Sequence, residues 1–295
     1  MAYRDNDIEL NFREDWTELL RKELTARGYV PPQNDEQVSF AFFNLLKRLV
    51  TPTRRTVHVG RSLTCPAEHQ AGYEEVTRKV RDGLDLTPHL SRKLSDIDYD
   101  DGLLNDWGIH HLHLGTRVSK HPPFVERTGP VLFARFTEQD AYFILINKHG
   151  TWSDIAILEE FHAAWPLVAG GFQLQGVSPS QPNPTANEIS MLRKAGVQTL
   201  VSVGGKVLFP MGRGITTSGL AVEVVERSDR VNRQLQVFEE LVVQQKSSIF
   251  AYGKANGVEP VRPVRLKLRV DSQDMAYALS DDDPPFGCRL AALKI

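Results

Sequence analysis

Three histidines stand within four positions in the run Ile109-His110-His111-Leu112-His113-Leu114, and six of the nine histidines in the chain fall between His110 and His162. Imidazole takes up and releases a proton near neutral pH and is also the commonest metal ligand, so such a run is the first place to look for chemistry. Its alternation with apolar residues predicts a β-strand, in which alternate side chains share a face. His111 and His113 then point one way with Ile109, while His110, Leu112 and Leu114 point the other. The leucines claim the core. That leaves His111 and His113 side by side on the more open face and makes His110 a satisfied core or edge histidine.

Further along, Lys148 and His149 end a later predicted strand beside Gly150 and Trp152, Arg117 and Lys120 follow the histidine strand, and Arg135 sits in the strand between. In a three-strand meander the first and third strands flank the second, about 10 Å apart, a gap that a polynucleotide phosphate bridges. Two imidazoles and one or more cations on one sheet face are what metal-independent RNA cleavage requires. One imidazole removes the 2′-OH proton, another protonates the 5′-O leaving group, and Arg or Lys neutralises the phosphorane. The candidate catalytic residues are His111, His113, His149 and Lys148, with Arg117, Lys120 and Arg135 on phosphate and Trp152 stacking a base.

Two other uses of the same residues stay open. His111 and His113 form an H-x-H pair that His149, with Glu159 or His162 from the next helix, would complete as a metal site of a metal-dependent hydrolase. Alternatively the strand is structural, its histidines hydrogen-bonding neighbouring loops, in a non-enzymatic binding or assembly protein. Other motifs point away from chemistry. Gly204-Gly205-Lys206 and Gly212-Arg213-Gly214 lack the P-loop order and read as hairpin glycines. The Arg265/Lys267/Arg269 stripe reads as the solvated face of an edge strand. Asp96, Asp98 and Asp100 alternate like the opening of a calcium loop, but Asp101 stands where that loop needs glycine and Trp107 where it needs glutamate. No nucleotide-binding or cofactor motif is visible, so no cofactor is expected.

The elements around the histidines are legible from periodicity and turn residues. Asn11-Phe12-Arg13-Glu14 has the form of a capping box opening a helix at about 12–27, and Asn34 caps a second whose apolar residues, Val38 to Leu49, surround most of its circumference. Arg55 to Gly60 alternates like a strand, Pro66 to Arg81 predicts an amphipathic helix ended by Gly83, and Leu86 to Leu94 a short helix. Strands follow at Gly108–Val118, Val131–Phe136 and Ala141–Asn147, then a helix capped by Ser153 or Asp154. After a proline-rich stretch, Val177 to Thr185, come strands at Gln198–Val203 and Lys206–Pro210, a strand near Leu220 to Val225, a long helix from Ser228 or Asp229 to about Gln245, and a last strand at Val264–Val270. The class is α+β: N-terminal helices, a central antiparallel meander flanked by helices, and a smaller C-terminal α+β part. Domains are expected at 1–177 and 186–295.

Composition bounds the setting. At 295 residues with 41% apolar content the chain can build real cores. The longest apolar run, Ala141 to Ile146, is far below the roughly 20 residues of a membrane helix, and residues 1–7 lack a signal-peptide core, so no membrane partner is expected. Cys65 and Cys288 make no paired spacing, which points to a reduced, cytoplasmic protein. A net charge of −2 excludes a bulk electrostatic grip on nucleic acid but not a local one.

The segment from Leu86 to about Trp165, about a quarter of the chain, resembles the small bacterial ribonuclease toxins of the RelE-like and barnase-like group: helices, then a meander carrying histidine and basic residues, then a helix. The resemblance implies an endoribonuclease, a toxin or phage-defence effector, with RNA as substrate and an antitoxin or regulatory protein as partner. It implies His111 or His113 as acid or base, Lys148 or His149 as its counterpart, and Arg117 or Arg135 on phosphate. Oligomeric state does not follow from it.

Overall fold

In the computed structural model, residues 3–179, 182–259 and 261–295 are described. Ser180 and Gln181 of the expected linker lie outside the described residues. The chain runs through β1 (Tyr3–Arg4), β2 (Ile8–Leu10), α1 (Phe12–Ala26), α2 (Asp35–Arg48), β3 (Thr56–Val59), α3 (Gln70–Asp82), α4 (Gly102–Trp107), β4 (His110–His113), β5 (Pro130–Phe136) and β6 (Asp140–Lys148). It continues through α5 (Ala156–Ala164), α6 (Pro166–Gly170), α7 (Ala186–Lys194), β7 (Val201–Val203), β8 (Lys206–Leu208), α8 (Val222–Ala255), β9 (Val264–Val270), β10 (Met275–Ser280) and β11 (Gly287–Ala292). This is an α+β fold.

Contacts divide the chain into two compact units, residues 44–224 and residues 1–43 with 225–295. This is not the break expected between 177 and 186. The proline-rich stretch is a loop inside the larger unit, and the two ends of the chain belong together because β2 pairs in parallel with β9, Ile8 opposite Val264.

In the unit formed by the two ends, the sheet order is β1-β2-β9-β10-β11, so β9 is a central strand rather than an edge. Its cations are paired: Arg265 with Glu9, Glu14 and Asp15, and Lys267 and Arg269 with Asp281. The Asn11 side chain caps α1 through the Glu14 N–H, and the buried Asp15 carboxylate accepts the Leu268 N–H at 2.9 Å, fastening helix to strand. The expected strand near 220–225 is absent, because α8 begins at Val222. Ser228 lies inside that helix instead of capping it, its hydroxyl 2.9 Å from that of Ser39.

The larger unit carries the histidines. Its main sheet has the order β3-β6-β5-β4, with β4, β5 and β6 forming the expected antiparallel meander and β3 added in parallel to β6. The residues before β4 form α4, which Asp101 caps and Gly108, with φ +66°, ends in the left-handed region, so the strand expected from Gly108 opens at His110. The strand also stops early. Beyond His113 the Leu114 N–H turns to the Thr128 hydroxyl at 3.1 Å rather than to a strand neighbour. Both faces of the sheet are covered. Ile109, Phe133 and Ile144 pack with Ile157, Leu158 and Phe161 of α5, together with Ile189, Val201, Val203, Leu208 and Met211 from later in the unit. On the other face Leu112, Leu132 and Phe143 are buried, and the α3 backbone comes so close that a Cβ on Gly72 would lie 1.8 Å from the Leu114 carbonyl oxygen.

Candidate active site

Strand parity delivers two of the imidazoles. On β4, His111 lies opposite Phe133 and His113 opposite Val131, so both rings rise from the face that packs on α5. That face is not open: His111 is 8% and His113 2% exposed. The third imidazole comes from the end of β6. Beyond the last paired position, Pro130 with Lys148, the His149 N–H still bonds the Gly129 carbonyl at 2.6 Å, which keeps His149 on the parity of Val131 and so on the face of His111 and His113. Gly150, with φ +103°, then turns the chain back over the sheet.

The three rings form one cluster. Centroids lie 6.0 Å apart for His111 and His113, 6.1 Å for His111 and His149, and 5.5 Å for the stacked pair His113 and His149. One nitrogen from each falls within 4.8 Å of the others. The backbone separation of about 10 Å is closed by the side chains reaching toward each other. Trp152 forms the wall, 4.3 Å from His111, 4.7 Å from His149 and 5.7 Å from Phe133. Its ring packs on imidazoles, where sequence reasoning had assigned it to a nucleobase.

The cation that joins the cluster is Arg127, from the loop between β4 and β5. Its guanidinium donates to His149 Nε2. Next to it the Thr128 N–H donates to His113 Nδ1 at 3.3 Å. Behind the strand, the fully buried His89 holds the His113 carbonyl through its Nδ1 at 2.8 Å. Periodicity gives no signal for Arg127, Thr128 or His89, since none lies on an alternating or helical stripe; the loop's basic and hydroxyl side chains were the only hint.

The expected cations are elsewhere. Arg117, Lys120 and Lys148 are exposed, and the Lys148 ammonium takes part in no hydrogen bond or ion pair among the described residues. Arg135 is structural: it donates to the carbonyls of Gly108 and Met211 at 3.3 and 3.5 Å and lies over the Phe172 ring. Glu159 is exposed on α5, and His162 packs under the β7–β8 turn, where a Cβ on Gly204 would meet its ring at 2.7 Å. Neither belongs to the histidine cluster. His110 is half-buried on the opposite face against Phe136, with both ring nitrogens inaccessible and lacking partners, so it is an edge-of-core histidine but not a satisfied one.

Burial and mutual repulsion keep the cluster neutral. Desolvation first, then the neighbouring His149 and Arg127, push His111 down to about 4. Burial, then His111, Arg127 and His149, push His113 down to about 3. His149 is lowered as well, by burial and by Arg127. Each neutral ring holds one proton, and where a donor occupies one nitrogen that proton must sit on the other. The Thr128 N–H on His113 Nδ1 thus assigns the proton to Nε2, a buried nitrogen with no partner, and the Arg127 contact assigns that of His149 to Nδ1. Among the described residues the His111 ring has no hydrogen bond, so one of its nitrogens is a free acceptor. The site offers N–H donors, one guanidinium and one basic nitrogen.

No protein-family model, curated protein or solved structure matches the chain.

Proposed function

We propose that the chain is a metal-independent endoribonuclease that works through His111, His113, His149 and Arg127. The observation that carries the reading is the Arg127 guanidinium set against three imidazoles held neutral: a cation with outward N–H donors suits an anion, and a phosphodiester is an anion with a nucleophile beside it. His111, with its unengaged nitrogen, takes the 2′-OH proton. The His113 Nε2–H and Arg127 stabilise the phosphorane oxygens. His149, the most exposed of the three rings, protonates the 5′-oxygen, because a bound phosphate offsets the Arg127 charge that otherwise opposes its protonation. A toxin or phage-defence role, with a neutralising protein partner, is the biological setting of this reading.

A second reading, a metal-dependent hydrolase, has one observation in its favour: three imidazole nitrogens within 4.8 Å of one another. Zinc at about 2.0–2.1 Å from each nitrogen needs the rings to close further and Arg127 to leave His149 Nε2. The cation beside the cluster weighs against it.

The test is cleavage of single-stranded RNA by the purified protein with and without a chelator, beside metal analysis. Cleavage that survives the chelator and falls about 10²–10⁴-fold in His111→Ala, His149→Ala and Arg127→Ala, each checked by a thermal melt, is the expected outcome. Stoichiometric metal with chelator-sensitive cleavage selects the second reading. No cleavage in either condition removes both.

A further inference from the structure

The unit formed by the two chain ends carries a groove of about 850 Å³ along α8, walled by Tyr3 of β1 and Arg13 in the first turn of α1. On α8 it follows one stripe. Asp229, Arg233, Gln236, Glu240 and Val243 recur at alternating steps of four and three residues, the spacing that keeps side chains on one side of a helix. The helix has 34 residues and is about 50 Å long, with the stripe near its middle.

The charges in this groove are balanced, and they are not paired within the chain. Arg13 and Arg233 are exposed, and neither guanidinium takes part in a hydrogen bond or ion pair among the described residues. The same holds for the Asp229 carboxylate, although an acid four residues before an arginine is the favoured order for pairing along a helix. Glu240 takes only the Gln236 amide, at 3.3 Å. Glu239, the remaining acid, is committed to the fold: it accepts the Phe12 N–H at 2.7 Å. Two cations and two carboxylates are thus left facing outward. A partner surface of one sign satisfies half of them and repels the other half, whereas a face that carries both signs in equal number complements itself.

We infer that this face binds a second copy of the chain, α8 antiparallel to α8, across a two-fold axis beside Gln236 and Val237. In a two-fold dimer the same patch meets itself. Parallel helices would set Arg233 on Arg233 and Glu240 on Glu240. Antiparallel helices, with the axis midway between those two positions, set Arg233 of each copy on Glu240 of the other, so one favourable pair is made twice. The same register sets Asp229 level with the Gln244 amide and closes Val237, an apolar side chain 50% exposed in the single chain, against Gln236 at the axis. A net charge of −2 per chain adds little repulsion. No imidazole lines the groove, so the dimer stands or falls apart from the ribonuclease reading.

Sedimentation equilibrium of the full-length protein at low salt, from about 1 to about 100 μM, tests it. The parent is expected to dimerise with a micromolar Kd and to dissociate further in about 0.5 M salt, which screens the ion pairs. Arg233→Glu and Glu240→Arg lie at exposed positions, and a thermal melt checks that each keeps its fold. Each sets like charges together at both ends of the seam and is expected to weaken the dimer at least about tenfold. The double variant Arg233→Glu/Glu240→Arg restores opposite charges and the dimer, and a mixture of the two single variants does the same as a mixed dimer. A parent that stays monomeric at about 100 μM overturns the proposal and leaves the groove to a different protein. Single variants that dimerise as the parent does overturn it too, as do single variants that dissociate with no recovery in the double variant or the mixture.

Discussion

At the scale of single residues, the imidazoles are an acid-sensitive part of the fold. An unfolded histidine titrates near 6.5, whereas folded His111 and His113 are held at about 4 and about 3. Between those values the unfolded chain binds protons that the folded one refuses, so stability is fully present above about pH 6.5 and is lost as pH falls toward 3. Each such histidine contributes a slope of about 1.4 kcal/mol per pH unit inside that window. Urea midpoints measured from pH 7 to pH 5 should fall in the parent protein and fall less steeply in His111→Gln or His113→Gln. An unchanged slope in both variants would show that neither ring is protonated on unfolding. The site itself was half legible in the sequence. His111, His113, His149 and Trp152 followed from strand alternation and loop composition, and they do meet. Arg127 was missed for a physical reason: a loop side chain is placed by turn geometry and by what it can bond, and those are not periodic. Lys148 and Arg127 are both cations near the sheet edge, and only the fold shows that Arg127 bonds His149 while Lys148 is exposed.

Elements decide whether the histidine strand is aimed at all. β4 has four residues, fixed at one end by the switch from α4 at Gly108 and at the other by Thr128. Gly108 matters for two reasons: its φ of +66° disfavours any side chain, and a Cβ there would lie 2.2 Å from an Arg135 guanidinium nitrogen and 3.1 Å from the Met211 carbonyl oxygen. Gly108→Ala is expected to lower stability by about 1–2 kcal/mol from the left-handed backbone alone, more if Arg135 cannot move, and to loosen the imidazole cluster. Denaturant unfolding reads the first effect, and the imidazole proton shifts in NMR read the second. Helices α1 and α2, the meander and β9 were legible because their apolar spacing is regular and their caps are strong. Helix α4, just before the strand expected from Gly108, was not: it has only six residues, and the Asp101 cap that starts it is hidden in an acidic run. β10 and β11 were missed because Met275 to Ala292 mixes small and polar residues with turn signals, and their pairing with β9 supplies what local propensity does not.

At the scale of the whole chain, composition suggested a cut that the contacts do not follow. A proline-rich stretch looks like a linker whether it joins two domains or spans one, since it reports only that no regular element forms there. What lies beyond it settles the matter. Ile189, Val201, Val203, Leu208 and Met211 share a core with Ile109, Phe133 and Phe161. Cutting at 177 removes those five buried side chains, worth about 1.5–3 kcal/mol each, or about 10 kcal/mol together, against a total stability of about 5–15 kcal/mol for an ordinary domain. A fragment of residues 1–177 is therefore expected to show no cooperative melt. The complementary fragment, 186–295, lacks β2 and the Asp15 carboxylate that binds the Leu268 N–H and Arg265, so its sheet loses a paired strand and the half-buried Arg265 loses its carboxylate partners. It too is expected to melt without cooperativity, by circular dichroism or calorimetry. A sharp transition in both fragments would mean that the chain folds as the two consecutive domains the proline-rich stretch suggested, and that the pairing of Ile8 with Val264 is not needed to hold the second one together.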